Sequence, residues 1–305
     1  MEFASLDGAL MAVVIRNGRF RLSEVGPETQ TLAEMQSLRF IMRRLARGRG
    51  TVASAAEVAR RLDDEIFGPL KIANDSLVIV PTPALHAMPW WVLPTCQSRP
   101  VTISPSAELW FRAKKATASG RRRTLLVAGP DLEMSDAEIV EVARSYAEAV
   151  VLQSTKSQVE IVQAHLDGAR LAHVASHASF QFENPMFSYL RLADGDLSVY
   201  DIERLGAAPD VVVLSACDSG FSDAHAGEEL MGLSSALLNM GTRSIVASVG
   251  LVPDSTATKD LMVALHRGLK GGLSPSHALN RAQGQVRDTQ GGYVAAGSFI
   301  CIGAG

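Results

Sequence analysis

Residues 210–220 read DVVVLSACDSG. Four apolar residues, three of them β-branched, run without a polar break into Ser215, and Gly220 ends the stretch. A run this short and this uniformly apolar predicts a strand buried on both faces, the pattern of a parallel sheet rather than of a surface hairpin. The pattern recurs upstream in TLLVA (124–128) and LAHVA (171–175), and downstream in SIVASV (244–249) and SFICIG (298–303). Between these runs, apolar residues at helical spacing predict helices over 136–150, 157–166, 199–205, 229–240, 255–269 and 274–290. Strands alternating with helices predict an α/β fold with a mostly parallel sheet covered on both sides.

The first part of the chain has a different texture. MAVVIRNGRFRLSEV alternates around Asn17-Gly18, a dipeptide suited to a two-residue hairpin turn. Helical patterns follow over 32–45 and 52–67, then a short apolar run, SLVIV (76–80), and a candidate strand at 101–104. KKATASGRRR (114–123) gathers small and basic residues with no apolar face and predicts a linker or exposed loop.

Bulk properties exclude several classes of function. The 305 residues carry a formal net charge of −3, which leaves no electrostatic footprint for nucleic acid or an anionic membrane. The N-terminus lacks the basic segment of a secretory signal, and no apolar run approaches the roughly 18–20 residues of a membrane span. The expected location is cytoplasmic. Three cysteines, Cys96, Cys217 and Cys301, are far apart and form no Cys-x-x-Cys pair, which argues against a disulfide framework or a structural zinc site.

In parallel α/β sheets, ligands gather beyond the carboxyl ends of the strands. Asp131, His177, Cys217 and Asp254 all follow predicted strands. Of these, His177 and Cys217 form a known chemical pair, because a free thiol is mostly protonated at neutral pH and an imidazole that takes its proton makes it a nucleophile. A cysteine after an apolar run is also a common core filler, and both readings stand at this point.

Several spaced segments resemble, in order, the CHAT domain, a caspase- and separase-like cysteine peptidase domain. They are SLVIVPTPALHAMPWWVLP and SPSAELW in the first part, then HVASHASFQFENPMFSYLRLADGDLSVYDIERL, residues 210–220, GEELMGLSSALLNMGTRSIVASVGLVPDSTATKDLM, SHALNRAQ and SFICIG. The resemblance implies a caspase-like three-layer sandwich in two related halves: a degenerate, pseudo-protease half over 1–119 and an active half over 120–305. It implies a Cys-His dyad of His177 and Cys217, with the backbone N–H groups of Ala178 and Cys217 receiving the oxyanion. Ala178 departs from the glycine usual after this histidine; it keeps the N–H but resists positive φ. His173, the first histidine of His-x-x-x-His, reads as a packed core position. Asp254, Asp218 and Glu228 are the acidic candidates for the substrate pocket, where a carboxylate would pair with a basic P1 side chain. For Asp254 an N-cap of the helix at Ser255 is equally open, and Val249-Gly250 predicts a smaller pocket wall than the family's leucine-tryptophan pair.

No metal or organic cofactor is required by this chemistry. The expected partners are a protein substrate and a helical-repeat regulatory domain or protein, and family resemblance points to bacterial defence or regulated proteolysis. The alternatives are a catalytically inactive caspase-like interaction module, and an α/β domain for a small anion, against which stands the lack of a glycine-rich phosphate loop. His86 beside Trp90 and Trp91 reads as packing, Cys96 and Cys301 as small apolar fillers, and His225 as an exposed loop residue.

Overall fold

The computed structural model describes residues 1–117, 122–179, 184–215 and 226–305, with the side chains of Pro185 and of residues 226–229 outside the description. The chain opens with an antiparallel meander, β1 (Glu2–Leu6), β2 (Ala9–Arg16) and β3 (Arg19–Pro27). The predicted turn is there: Asn17 and Gly18 have φ of 50° and 73°, and Asp7-Gly8, with φ of 51° and 79°, makes a second turn of the same kind. That second turn adds β1, which the sequence reading did not anticipate. Helices α1 (Glu28–Ala46) and α2 (Val52–Phe67) follow, the second capped by the Thr51 hydroxyl on the Ser54 N–H.

Next come β4 (Leu77–Ile79), α3 (Pro94–Gln97), β5 (Val101–Ile103) and α4 (Ala107–Lys115). The remainder is β6 (Thr124–Ala128), α5 (Ser135–Ala143), β7 (Val150–Leu152), α6 (Val159–Leu166), β8 (Leu171–Ala175), β9 (Ala178–Ser179), β10 (Tyr189–Arg191), β11 (Asp196–Ser198) and α7 (Val199–Glu203). It closes with β12 (Val211–Leu214), α8 (Ala226–Asn239), β13 (Ser244–Ser248), α9 (Thr256–Lys270), α10 (Pro275–Val286), α11 (Gln290–Ser298) and β14 (Phe299–Gly303).

Eight strands form one sheet in the order β4-β5-β14-β13-β12-β8-β6-β7. Every neighbouring pair is parallel except β13-β14. Five strands, β13 through β7, therefore run one way, and β14, β5 and β4 run the other. Successive residues of each central strand feed opposite layers. Val212 and Leu214 of β12 pack with Val174 of β8, Ile245 of β13 and Leu233 of α8. Val213 faces the other side, with Val246 and the apolar residues of α5, α9 and α10. The result is an α/β/α sandwich, with near-continuous apolar strands because both faces are covered.

Two expected helices and the expected linker differ in extent. The one over 136–150 ends at Ala143 and gives way to β7, so Val150 belongs to an edge strand. The one over 274–290 ends at Val286, and beyond it an unexpected helix, α11, starts where the Thr289 hydroxyl accepts the Gly292 N–H. The expected linker at 114–123 is in part helical, since α4 runs through Lys115, and residues 118–121 of it lie outside the described residues.

Candidate active site

Because β6, β8, β12 and β13 are parallel neighbours, their carboxyl ends open on one edge of the sheet. At that edge β6 runs into Gly129-Pro130-Asp131. The Gly129 N–H donates to Ala175 O at 2.7 Å, which lays this turn against the end of β8. No side chain fits at 129, where a Cβ would lie 2.8 Å from Arg191 O and strike Ser176. Two residues on, Asp131 takes φ of +62°, a left-handed conformation that is uncommon outside glycine.

The strained turn has a chemical consequence. His177 Nε2 lies 3.2 Å from Asp131 O. A carbonyl only accepts, so the ring proton is on Nε2 and, in the neutral imidazole, Nδ1 carries the lone pair. Nδ1 is buried and has no hydrogen-bond partner among the described residues. An imidazole held by one nitrogen with the other free is the arrangement of a positioned general base.

Ala178 follows in β9, which pairs antiparallel with β10, Ala178 opposite Leu190. The Arg191 N–H donates to His177 O at 2.8 Å. Hydrogen-bonded and non-hydrogen-bonded pairs alternate along such a ladder, so the Ala178 N–H points away from β10 and is not consumed by it. Ala178 does not have positive φ. The backbone here is ordinary strand, which alanine adopts without strain.

On the neighbouring strand, Leu214 pairs with Val174, and the Ser215 N–H donates to Val174 O at 3.0 Å. His177 is three positions beyond one member of that pair and Cys217 three beyond the other. Cys217, Asp218 and His225 lie outside the described residues, and Glu228 sits on α8 with its side chain undescribed.

Asp254 sits after β13 and reaches across to the loop before α5. Its two carboxylate oxygens accept the N–H groups of Glu133 and Met134, at 2.6 and 3.1 Å. It does not cap its own helix: the Ser255 hydroxyl does that for α9, accepting from Thr258 N. Between these loops lies a cleft of about 290 Å³ lined by Leu132, Ser135, Glu138, Ala175, Ser215, Val252, Pro253, Asp254 and Thr258. Ala175 and Ser215 are each two residues before the expected dyad members.

Behind the cleft is a polar chain that the sequence reading did not find. His173 is wholly buried in β8, with Nε2 2.9 Å from Glu138 Oε1 on α5 and Nδ1 2.7 Å from His266 Nε2 on α9. His266 Nδ1 in turn lies 2.7 Å from Tyr146 Oη. Burial, with His173 and Arg170 nearby, holds His266 well below the usual histidine range, and burial pushes the Tyr146 hydroxyl up to about 12. His173 is a core position as expected, but one that ties a strand to two helices. The signal for its partners was a histidine inside an all-apolar strand, which demands polar company.

The remaining singled-out residues pack. Trp90 stacks on Phe3 at 6.1 Å, and Trp91 meets Tyr293 of α11 edge-on at 5.9 Å. Burial lowers His86 to about 4 and raises both Cys96 and Cys301, the latter to about 12. Among the described residues no cluster of three metal-ligating side chains occurs, and no helix is long and apolar enough to cross a membrane.

Comparison with known proteins bears on the family and the fold. The family model of the CHAT domain matches residues 56–303. The chain belongs to the CHAT-domain family. Two crystal structures of the separase–securin complex from Saccharomyces cerevisiae share its fold. One, at 2.6 Å resolution, matches with a TM-score of 0.55 and 15% identity over 82% of this chain and 17% of the matched chain. The other, at 3.0 Å, gives 0.52 and 13% over 74% and 15%. This CHAT chain thus corresponds to under one fifth of the length of those chains, and the likeness concerns fold. Among curated proteins, none matches the sequence.

Proposed function

We propose that this CHAT-family chain is a cysteine endopeptidase that uses a Cys217-His177 dyad. The supporting observation is the state of His177: the Asp131 carbonyl accepts the Nε2–H hydrogen bond, which leaves Nδ1 as the base at the end of the strand next to the one leading to Cys217. In this reading Nδ1 accepts the thiol proton as sulfur attacks the scissile carbonyl, and the Ala178 N–H, which β10 does not use, receives the oxyanion with that of Cys217. Collapse of the tetrahedral intermediate breaks the C–N bond, and the imidazolium returns the proton to the leaving amine. Water then attacks the thioester, with His177 again as base, and releases the acid product and the thiol.

In the same proposal, residues 1–119 serve as a degenerate half that supports the active half over 120–305. The extension of the sheet by β4 and β5 and the Trp91–Tyr293 contact favour it. A free thiol persists most readily in a reducing compartment, and the proposed location is accordingly the cytoplasm. The substrate is a protein, cut after a basic P1 residue, in a defence or regulatory pathway, with a helical-repeat domain or protein as the regulatory partner. The inactive-module alternative rested on Ala178, whose strand backbone and N–H, left unused by β10, are compatible with an oxyanion donor.

The test is a peptide-library cleavage profile of the wild type beside Cys217→Ala. Cleavage that vanishes in the variant is the expected result. Cleavage that persists, or no cleavage by either protein, contradicts the proposal.

A further inference from the structure

The meander β1-β2-β3 precedes the CHAT-matched residues, and its two edges differ. The β1 edge is joined to the rest of the protein just beyond β4: the Phe3 N–H donates to Val80 O at 2.8 Å, and the Val80 N–H donates to Met1 O at 2.9 Å. The β3 edge is open. Among the described residues β3 pairs with β2 alone, and no backbone group of residues 19–25 bonds elsewhere.

The hairpin turn decides which backbone groups face outward. Positive φ at both Asn17 and Gly18 makes a two-residue turn, whose flanking residues Arg16 and Arg19 form a hydrogen-bonded pair. Such pairs alternate along the ladder, so Arg21 also bonds to β2, while the N–H and C=O groups of Phe20 and Leu22 point away from it.

The side chains alternate on the same beat. Phe20 lies opposite Ile15, and Leu22 opposite Val13, on one face of the ribbon. Ile15, Phe20 and Leu22 are 63%, 80% and 62% exposed, an apolar patch at the open edge. Arg19 and Arg21 belong to the other face; both are exposed, and neither has an ion pair among the described residues, whereas Arg16 is matched by Asp75 at 2.9 Å. Charge on an edge wards off like strands, but a bare Phe20 and Leu22 with outward backbone groups invite an unlike one.

We infer that β3 is a docking edge for an extended segment of another protein in which apolar and acidic residues alternate. Added antiparallel, such a segment bonds its backbone to Phe20 and Leu22, sets apolar side chains beside theirs, and sets carboxylates beside Arg19 and Arg21. A second copy of this chain fits worse. With the two-fold axis anywhere from Phe20 to Ser23, β3 laid antiparallel on itself sets either Arg21 against an arginine or an apolar residue against Glu24. The inference uses no residue of the candidate dyad and is independent of the peptidase reading.

The test is fluorescence anisotropy with a labelled peptide that alternates valine with glutamate, beside its valine–lysine counterpart. The wild type is expected to bind the glutamate peptide at least about tenfold more tightly than the lysine one. The double variant Arg19→Glu, Arg21→Glu is expected to reverse that order, a gain that an unfolded protein cannot show. Methylating the glutamate peptide on the backbone nitrogens of its valines, which face β3, should abolish binding, and on those of its glutamates should change it by less than about threefold. Leu22→Pro deletes an outward N–H and no bond to β2, and should weaken binding at least about tenfold. Equal binding of the two peptides, no binding of either, an unchanged order in the double variant, or indifference to methylation at the valines overturns the inference. A wild-type dimer in sedimentation that Leu22→Pro dissociates would make a second copy the occupant and overturn it as well.

Discussion

Strand β8 places two histidines four residues apart in two different worlds. His173, in its interior, is fully buried, with both ring nitrogens bonded to side chains from two helices. His177, just past its end, has one nitrogen on a backbone carbonyl and the other buried without a described partner. The interior histidine is satisfied, and its loss would be felt as stability. The terminal one is held in a strained setting with a nitrogen unused, and its loss would be felt as chemistry. The difference comes from neighbours, since the residue type is the same.

The largest separation of the two is expected from alanine substitutions. His177→Ala should lower kcat/KM for peptide cleavage about 10³-fold, the size of a lost general base, while a urea melt shifts by less than about 1 kcal/mol. His173→Ala should do the reverse in kind: it leaves Glu138 and His266 each short a partner and costs about 3 kcal/mol in the same melt. A His177 variant that unfolds, or a His173 variant of normal stability, would erase the distinction.

Gly129→Ala tests whether the carbonyl support of His177 depends on the tight turn. The added Cβ meets Arg191 O, displaces Asp131, and should reduce kcat/KM about 30-fold, with the loss in kcat.

Acid should next separate the interior from the rim. His266 has a folded pKa below the unfolded 6.5, and His86 is lowered to about 4. Below pH 6.5 the unfolded chain therefore binds protons that the folded one refuses, so stability is intact above 6.5 and falls on acidification. Each group contributes a slope of about 1.4 kcal/mol per pH unit until its folded pKa is reached. His266→Phe should flatten the stability–pH curve between pH 6 and 5 by about one proton, and an unchanged slope would remove His266 from the account. The smallest effect belongs to Asp131→Gly, which keeps the carbonyl and relieves the left-handed strain: kcat/KM should change by less than about threefold. A large loss would mean that the Asp131 side chain, not its carbonyl, is the acting group.

Much of this fold was legible because its strands are doubly buried. VVVL, TLLVA and SIVAS have no polar alternation, and the structure makes each a central strand of the sheet. What escaped was short or relational. β7 is three residues after a helix-forming stretch, and β9 through β11 are two or three residues each, too short for any periodicity. The antiparallel return of β14 leaves no mark in its own residues, which read like those of the parallel strands. At the candidate site, the strand-end rule singled out both His177 and Asp131, yet nothing local to Asp131 announces a carbonyl aimed at a ring. Glu138, Tyr146 and His266 come from two helices and a turn, over a hundred residues apart at the extremes, and only the packed structure brings them into one chain.

The account turns on His177 acting as base toward Cys217, and the pH dependence of Cys217 alkylation reads this directly. Cys96 and Cys301 are buried with thiols pushed upward, so they stay silent. In the wild type, alkylation by iodoacetamide should remain fast well below pH 8.5, the value of a free thiol, and in His177→Ala its midpoint should return to about 8.5. Superimposable curves for the two proteins would contradict the dyad.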